Sequence, residues 1–325
     1  MRRAVAAILV VAASLALGST VAVGAPARSV AIFYYSWYGT PTRDGAWQHW
    51  DQAGGAPPHD VSSAFYPARG VYSSTDPDVV RAQMREIRRA GVDTVVVSWW
   101  GPGSIEDARL GAVAASARRA GLRVAVHVEP WIGRTPAAVA DAIRALQPQG
   151  IRDFYVYDST LDADEDWSTA LATVTGARVF ANTWLPGKAK RGGFHGLYSY
   201  DVLVHDGTSF RRVCASARRL GLVCAPSVGP GYDASRVTET PSFADRESGA
   251  RYDEMWRRAI GARADVVTIT SYNEWHEGTQ IEPARVTARY ASYEGAWGTT
   301  GPAAQTAYLD RTAMWAARYR AAAPR

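Results

Sequence analysis

The sequence predicts an α/β fold, a (β/α)8 TIM barrel that forms a single domain. Eight short runs rich in Val, Ile, Tyr and Phe recur along the chain, and amphipathic helical stretches lie between or after most of them. Such alternation favours parallel strands, and eight units within about 300 residues suit one barrel. The competing fold is an open doubly wound sheet, which needs a glycine-rich phosphate turn after its first strand. The segment FYYSWYG at 33–39 is not such a turn.

The individual elements follow from the apolar periodicity, in chain order. Strands are predicted at 30–35, 94–99, 123–128, 153–157, 179–183, 196–200, 223–228 and 265–271. Helices are predicted at 76–90, 105–120, 136–146, 165–175, 209–220, 246–260 and 304–322. Gly91, Gly121 and Gly221 each follow a helix at the position where left-handed backbone ends it. Residues 184–193 contain a proline and three glycines, so the fifth βα unit is predicted to carry a loop there.

The N-terminus has the three parts of a secretory signal peptide. Arg2 and Arg3 precede an apolar stretch at 4–17, and the small residues Gly24 and Ala25 stand before a proline. We therefore expect a signal peptide at 1–25, a barrel domain at 26–325 and a secreted or extracytoplasmic protein. An uncleaved N-terminal anchor is the alternative. No later segment approaches the ~18 apolar residues of a membrane helix, so no membrane span is expected in the mature chain.

Composition and charge narrow the class of partner. The formal net charge is +5, and it falls to about +3 when the two arginines leave with the signal peptide. The remaining positive charge is spread along the helices instead of forming one patch, so no nucleic-acid partner is expected. The 12 Trp and 16 Tyr are more informative, because aromatic rings stack on sugar rings as well as pack in cores. We expect a monomer.

The two cysteines, Cys214 and Cys224, are compatible with a disulfide in an exported protein or with two buried thiols. Cys214 falls within a predicted helix and Cys224 within the next strand. A bridge forms only if the helix turns Cys214 toward that strand, so the sequence leaves both outcomes open.

Two carboxylates near the end of the last predicted strand are the most informative feature. Glu274 and Glu277 follow the β-branched run 266–270 and stand among Trp, His, Tyr, Asn and Gly residues. Two carboxyl groups around one glycosidic bond are the minimum for its hydrolysis, since one donates a proton and the other supplies or directs negative charge. Glutamates at this spacing also occur on solvated helix faces, but seldom in such aromatic company. The pair therefore indicates a glycosidase site.

The ends of the other predicted strands carry aromatic and polar residues. In a barrel of this kind the C-terminal strand ends share one face, and the chemistry collects there. The residues at these positions are Tyr34, Tyr35, Trp37, Tyr38, Trp99, Trp100, His127, Glu129, Trp131, Tyr157, Asp158, Asn182, Trp184, Tyr198, Tyr200, Ser227, Tyr232 and Asn273. Each also has a structural explanation: His127 can be a buried histidine with its hydrogen bonds satisfied, and the aromatic rings can close the top of the barrel.

The sequence gives no reason to expect a metal ion or another cofactor. Residues 162–166 are rich in Asp and Glu but lack the glycine and the terminal Glu of a calcium loop. Asp164 is better explained as a helix N-cap. His276 has no second histidine at a zinc-binding spacing, and no Gly-x-Ser-x-Gly turn supplies an esterase nucleophile.

Seven segments along the chain carry specific motifs. They are FYYSWYG at 33–39, HWD at 49–51, YSSTDP at 72–77, SWWGPG at 98–103, YVYDS at 155–159, PSVGPGY at 226–232 and SYNEWHEGTQIEP at 271–283. With these segments the chain resembles glycoside hydrolase family 99, the endo-α-1,2-mannosidases and endo-α-1,2-mannanases, from about Phe33 to the C-terminal helix. The resemblance implies a (β/α)8 barrel, in agreement with the periodicity, and a catalytic domain at 26–325.

The resemblance also implies separate roles for the two glutamates. Glu277 is similar to the acid/base that protonates the leaving sugar and later activates water. Glu274 resembles the residue that draws on the substrate 2-hydroxyl, whose oxygen attacks the anomeric carbon to form a 1,2-anhydro sugar with net retention. The residues alone leave a direct carboxylate nucleophile open, since both routes use two acids and both retain configuration.

Matching motif positions predict the substrate contacts. They are Tyr34, Tyr35, His49, Trp50, Trp100, His127, Tyr157, Tyr198, Tyr232 and Asn273. Trp100 stands where bacterial members resemble Trp-Trp-Gly-Pro and the animal enzymes resemble Trp-Tyr-Pro-Pro, and it favours mannose over glucose at the sugar before the cut. Glu129 departs from the animal pattern, which is similar to His-Ile-Gln-Pro, and its role is open.

The implied activity is an exported endo-glycosidase that cleaves internal α-1,2-mannosidic bonds of mannan or mannose-rich glycans. Its partner would be an oligosaccharide or polysaccharide that contains α-mannose, with no metal or cofactor. Two alternatives stay open, an endo-hydrolase of another α-glycan and a non-catalytic carbohydrate-binding barrel. The second would keep the aromatic residues but lose an acid, whereas both glutamates are present.

Overall fold

A computed structural model of the chain describes residues 28–238 and 242–322. Its strands are β1 (Ser29–Tyr34), β2 (Thr94–Trp99), β3 (Arg123–Val128), β4 (Asp153–Val156), β5 (Arg178–Asn182), β6 (Gly196–Tyr198), β7 (Val223–Ala225), β8 (Ser227–Val228), β9 (Tyr232–Asp233), β10 (Phe243–Ala244) and β11 (Val266–Ile269). Nine of these described strands form one parallel sheet, in the order β7-β6-β5-β4-β3-β2-β1-β11-β8. The other two, β9 and β10, pair antiparallel.

The parallel sheet closes into a barrel around Pro226. β7 pairs with β6 before this proline, and β8 pairs with β11 after it. Proline has no N–H group to donate, so the ladder is interrupted here, although the Pro226 carbonyl still accepts from the Thr268 N–H at 3.1 Å. The predicted strand 223–228 is therefore one barrel strand in two parts, and the predicted single-domain (β/α)8 barrel is confirmed.

The helices follow the barrel strands and match most of the predicted stretches. They are α1 (Pro41–Asp44), α2 (Pro77–Arg89), α3 (Ile105–Arg119), α4 (Pro136–Leu146), α5 (Asp164–Leu171), α6 (Pro186–Arg191), α7 (Phe210–Arg219), α8 (Ala250–Gly261), α9 (Pro302–Gln305) and α10 (Ala307–Ala321). Short 3-10 turns occur at Gln52–Gly54, Gln147–Gln149, Glu247–Gly249 and Ala296–Gly298. The predicted helix at 246–260 therefore starts with a 3-10 turn, and the one at 304–322 is divided into two helices. Gly91, Gly121 and Gly221 have φ of 76°, 77° and 71°, as their predicted positions after helices require.

Two elements differ from the predicted helices, one for a local reason and one through contacts with a distant residue. The predicted helix at 165–175 ends at Leu171, because Thr-Val-Thr at 173–175 is β-branched and forms helix poorly. The predicted loop at 184–193 instead contains α6. Pro186 suits the first turn of a helix, and Lys188 and Arg191 bind Asp164 at 3.0 and 2.7 Å. Asp164 is thus engaged in ion pairs and does not cap α5, which corrects its predicted N-cap role.

The barrel core and the outer layer are joined by a covalent bond as well as by packing. The interior is filled by aromatic rings, with Phe33 in contact with the rings of His127, Tyr155 and Tyr198 at centroid distances of 4.6, 5.9 and 5.8 Å. Cys214 on α7 faces β7 and forms a disulfide with Cys224. The sequence left this pairing open, and the orientation of α7 decides it in favour of the bridge.

The predicted signal peptide at 1–25 lies outside the described residues. Within residues 28–238 and 242–322, none of the helices combines the length and the apolar composition that a bilayer crossing needs.

Candidate active site

Seven of the strand-end residues, together with Glu274 and Glu277, surround one open cavity of about 630 Å³. Its lining residues are Tyr35, Trp37, His49, Gln52, Trp100, Ile105, Glu106, His127, Glu129, Tyr157, Tyr200, Glu274, His276 and Glu277. The volume falls within the range of about 300–1,000 Å³ that is usual for small-molecule sites. The barrel thus brings together residues that are more than two hundred positions apart in sequence.

The segment 271–283, called the acid loop below, follows β11 and is fixed to the end of β1. Asn273 clamps the backbone of Tyr35: its Oδ1 accepts from the Tyr35 N–H and its Nδ2 donates to the Tyr35 carbonyl, both at 2.8 Å. The hydroxyl of Tyr38 donates to the Asn273 carbonyl at 2.9 Å. These bonds set the path of the loop immediately before Glu274.

Glu282 anchors the other end of the acid loop, behind the cavity. Its Oε1 accepts from Arg69 Nε and Gln83 Nε2, each at 2.8 Å. Its Oε2 accepts from the Tyr72 hydroxyl at 2.8 Å and from the Trp275 indole at 2.9 Å. Burial raises the pKa of Glu282, while Arg69 opposes that shift. With four donors around it, this buried acid fixes Trp275 and hence the loop.

Glu274 is buried in the cavity wall and is hydrogen-bonded on both its backbone and its side chain. Its N–H donates to Ser271 Oγ at 2.8 Å, and its Oε1 accepts from the His276 N–H at 3.0 Å. Burial raises the pKa of Glu274 well above its ordinary value, and the charge of Glu277 raises it further. The hydrogen bond from His276 acts in the opposite direction, because it favours the ionised form.

Glu277 differs from Glu274 in its partners. Neither of its carboxylate oxygens has a hydrogen-bond partner within the described part of the chain. Burial raises the pKa of Glu277 from 4.5 to about 8, and the charges of Asp201 and Glu129 raise it as well. The two acids titrate as a pair, and Glu274 is the one whose ionised form accepts a backbone hydrogen bond, from the His276 N–H.

A third acid, Glu129, links two cavity-lining rings. Its Oε1 accepts from Ser98 Oγ at 2.9 Å, and Ser98 Oγ accepts from the Trp100 indole at 3.1 Å. His127 Nδ1 lies 2.7 Å from the same Glu129 oxygen, and His127 Nε2 lies 2.8 Å from the Tyr198 hydroxyl. Glu129 therefore holds one wall of the cavity together while its carboxylate faces the opening.

The comparison with known proteins agrees with this arrangement of acids and aromatic rings. The sequence model of glycosyl hydrolase family 99 matches residues 27–321. The chain belongs to this family. As a member of family 99 it is a glycoside hydrolase of the endo-α-mannosidase type.

Curated family relatives match along most of their length. The glycoprotein endo-α-1,2-mannosidase-like protein of Danio rerio is 32% identical, over 89% of this chain and 77% of that protein. The glycoprotein endo-α-1,2-mannosidase of Xenopus laevis is 31% identical, over 90% of this chain and 78% of that protein.

Among solved structures, the family 99 endo-α-mannosidase from Bacteroides thetaiotaomicron has a TM-score of 0.81 and 29% identity. It covers 91% of this chain and 98% of its own. The cyclic α-maltosyl-(1→6)-maltose hydrolase from Arthrobacter globiformis, at 11% identity and a TM-score of 0.51, shares the fold alone.

Six of the ten predicted contact residues reach a cavity in this family 99 barrel. Tyr35, His49, Trp100, His127 and Tyr157 line the main cavity. Tyr232 lines a smaller cavity of about 190 Å³ beside it.

Two of the others, Tyr34 and Trp50, are buried behind the site. The Tyr34 hydroxyl donates to Gln83 Oε1 at 2.7 Å, and the Trp50 indole donates to the Tyr72 carbonyl at 2.8 Å. Both polar groups are thus satisfied inside the protein, and neither ring lines the main cavity or the smaller one. Tyr34 and Trp50 were predicted to contact the sugar, and the structure corrects this prediction. They instead support the Glu282 network, because Gln83 and Tyr72, their hydrogen-bond partners, both bind that acid.

Tyr198 and Asn273 are also buried and support cavity residues instead of lining the cavity. Tyr198 holds the ring of His127, and Asn273 holds the backbone of Tyr35. For these two the predicted direct contact is likewise corrected, because both side chains are buried and hydrogen-bonded to protein partners.

Two histidines at the cavity are neutral. Burial lowers the pKa of His276 to about 4 and that of His49 to about 3. His276 Nε2 donates to the His49 carbonyl at 2.6 Å, and the His49 ring stacks on Trp37 at a centroid distance of 4.3 Å. His276 therefore serves to position the loop around His49.

Sequence reasoning missed several lining residues. Gln52 lies 18 residues after the end of β1, and Ile105 and Glu106 form the start of α3, so strand-end position did not mark them. Asp201, which lines the smaller cavity, directly follows Tyr200 near the end of the sixth barrel strand, so strand-end position could have found it. No group of three or more His, Cys, Asp and Glu side chains suited to a metal ion occurs within residues 28–238 and 242–322.

Proposed function

We propose that this glycoside hydrolase is exported and cleaves internal α-1,2-mannosidic linkages of mannan or mannose-rich glycans with retention, through a 1,2-anhydro sugar. The observation that carries the proposal is the contrast between the two buried acids: Glu274 accepts a backbone hydrogen bond from His276, whereas neither carboxylate oxygen of Glu277 has a partner among the described residues. The names of the Danio rerio and Xenopus laevis relatives support the linkage. The signal-like residues 1–25 support export.

In the first step, Glu274 takes the proton of the substrate 2-hydroxyl while that oxygen attacks the anomeric carbon. Glu277 donates its proton to the glycosidic oxygen, the bond to the leaving sugar breaks, and a 1,2-anhydro sugar forms with inversion. Glu274 suits the role of base because the His276 N–H holds its carboxylate in place. Glu277 suits the role of acid because burial keeps it protonated near neutral pH.

In the second step, the ionised Glu277 removes a proton from water, and the water oxygen attacks the anomeric carbon. The anhydro ring opens, and Glu274 returns its proton to O2 of the sugar. The second inversion restores the original configuration, and both acids regain their starting protonation states. No covalent bond to the enzyme forms at any point.

The main cavity supports binding of the sugars before the cut. Tyr35, His49, His127 and Tyr157 offer ring faces and polar edges around the two acids. Trp100 is 37% exposed, and the hydrogen bond from its indole to Ser98 fixes the direction of its face. We assign to Trp100 the preference for mannose over glucose at the sugar before the cut.

Digestion of an α-1,2-mannan tests the substrate. The enzyme is expected to release oligosaccharides by internal cleavage, and NMR is expected to show the α-anomer as the first product. An α-glucan serves as the control. Cleavage of the glucan with no product from mannan would overturn the substrate assignment.

A substrate whose sugar before the cut lacks a free 2-hydroxyl tests the mechanism. The anhydro route requires that oxygen, so the unmutated enzyme is expected not to cleave a 2-deoxy or 2-O-methyl analogue. Efficient cleavage of either analogue would favour a direct carboxylate nucleophile.

The N-terminal sequence of protein recovered from the culture medium tests export. The mature chain is expected to begin at Pro26. An N-terminus at Met1 on a cell-bound protein would contradict the signal peptide.

A further inference from the structure

The smaller cavity, of about 190 Å³, meets the main one at Glu277. Tyr157, Tyr200 and Glu277 line both cavities, whereas Asp201 and Tyr232 line only the smaller one. The site therefore has two chambers of unequal size, with the unpartnered acid at their junction.

The positions of the two acids indicate which side of the cleaved glycosidic bond each chamber binds. A general acid must reach the glycosidic oxygen, which lies between the sugar before the cut and the leaving sugar. The partner of the 2-hydroxyl must lie on the side of the sugar before the cut. Glu274 lines only the larger chamber and Glu277 lines both, so the smaller chamber lies on the leaving-group side.

We propose that the smaller cavity holds the sugar on the leaving-group side of the cleaved bond, and that Asp201 selects this sugar by accepting hydrogen bonds from its hydroxyl groups. This inference rests on the proposed function, because it takes Glu277 as the acid. It adds a specificity-determining residue that neither the motifs nor the strand-end pattern assigned.

The hydrogen bonds of Asp201 leave one oxygen for a ligand. Its Oδ1 accepts from the backbone N–H groups of Leu203 and Val204 at 2.9 and 3.1 Å, which fixes the carboxylate at the start of its loop. Its Oδ2 has no hydrogen-bond partner within the described ranges 28–238 and 242–322. A preorganised acceptor of this kind suits a hydroxyl donor.

The charges around the cavity select a neutral ligand. Asp201 and Glu277 are the ionisable acids in its lining, and its other lining residues are tyrosine, threonine, valine and leucine, with no Lys, Arg or His among them. An anionic group would therefore meet two acids and no cation, at unfavourable Coulomb energy. Tyr157 and Tyr232 supply aromatic surface, which together with a carboxylate suits an uncharged sugar.

The test compares two substrates in the full-length enzyme and in Asp201→Asn. A mannan oligosaccharide places a sugar in the smaller cavity, whereas a mannobiosyl fluoride has the same glycone and no leaving sugar. The asparagine keeps an oxygen for the Leu203 and Val204 N–H groups but presents an amide N–H₂ where Oδ2 was. Assays at about pH 6 keep Glu277 protonated in both enzymes.

We expect kcat/KM on the mannan oligosaccharide to fall about tenfold or more in Asp201→Asn, mainly through KM, since hydrogen bonds to charged groups are among the stronger ones. Activity on the fluoride is expected to stay within about twofold. Asp206→Asn is the matched control, because Asp206 lies on the same loop but pairs with Arg258 at 3.2 Å outside both cavities. It is expected to change neither activity.

The remaining outcomes separate this inference from the proposed function. If the parent enzyme cleaves neither substrate, the proposed function fails and the inference fails with it. If the parent cleaves both and Asp201→Asn leaves the mannan activity within about twofold, the inference alone is overturned. If the variant does not fold, deoxygenating the leaving sugar in the substrate of the parent enzyme gives the answer, and unchanged kcat/KM with every deoxy analogue would overturn it.

Discussion

Glu277 and Glu282 stand five positions apart in the acid loop, and burial raises the pKa of both. Glu282 is surrounded by four donors from Arg69, Gln83, Tyr72 and Trp275. Glu277 has no hydrogen-bond partner among the described residues and opens into two cavities. Burial of a carboxylate therefore does not by itself mark a catalytic acid. What distinguishes the two acids is whether hydrogen-bond donors of the protein already occupy the lone pairs of the carboxylate oxygens.

Replacement of Glu277 is expected to have the largest effect on activity. Glu277→Gln keeps the size and shape of the side chain but cannot give up a proton, so kcat on natural glycans is expected to fall by about 10²–10⁴. Folding and sugar binding are expected to be unchanged, as measured by thermal unfolding and calorimetric titration with an oligosaccharide. Turnover within about tenfold of the parent would remove Glu277 from the acid role.

Replacement of Glu282 is expected to act on stability instead. Glu282→Gln leaves Arg69 without one of its two carboxylate partners and turns an N–H₂ group toward two of the donors, so the free energy of unfolding is expected to fall by about 3–5 kcal/mol. Denaturant unfolding measures the change. The exposed Glu165 provides the control, and Glu165→Gln is expected to stay within about 0.5 kcal/mol of the parent. An unchanged midpoint for Glu282→Gln would show that its donor shell contributes little.

The pH dependence of kcat/KM tests the environment of Glu277, whose carboxylate has no hydrogen-bond partner among the described residues. Its pKa of about 8 predicts that kcat/KM falls about tenfold per pH unit at higher pH, since this parameter reports the free enzyme. The groups that face Glu277 are the acids Glu274, Glu129 and Asp201 and the tyrosines Tyr35, Tyr157, Tyr200 and Tyr232. Glu129→Gln removes one negative charge and is expected to move the alkaline limb toward neutral pH by about half a unit or more. An unmoved limb would mean that Glu129 does not influence the acid.

The same pKa has a consequence for stability. Because the folded pKa of Glu277 lies above the unfolded value of 4.5, the stability linked to its proton is complete below about pH 4.5 and is lost as the pH rises through about 8. Glu277→Gln has no proton to lose at this position. The difference in melting temperature between variant and parent is therefore expected to grow in favour of the variant across that range.

Replacement of Tyr34 is expected to have the smallest effect. Tyr34→Phe removes the hydroxyl that binds Gln83 in the Glu282 network, and a loss of about 1 kcal/mol in unfolding free energy is expected. Activity is expected to stay within about twofold, because the ring lies behind the cavity. A large loss of sugar affinity would return Tyr34 to the contact residues.

Much of the fold could be predicted because its signals are local. The short runs rich in Val, Ile, Tyr and Phe predicted all eight barrel strands, and the glycines after three of the helices predicted where those helices end. The clearest wrong prediction involves contacts between distant residues. Helix α6 forms where a loop was predicted, and its Lys188 and Arg191 form ion pairs with Asp164, which lies more than twenty residues earlier in the sequence. The site shows the same division. Strand ends pointed to Tyr35, Trp100 and His127, but could not tell which aromatic ring turns into the cavity.

The sequence by itself determined the barrel and the presence of two acids at the end of its last strand, because periodicity and residue chemistry are properties of short segments. The tertiary structure decided which acid is free. The hydrogen-bond donors around a buried carboxylate come from distant strands and loops. They surround Glu282, whereas Glu277 has none among the described residues. The same packing closed the disulfide between Cys214 and Cys224 and placed Asp201 beside Glu277, neither of which local sequence fixes.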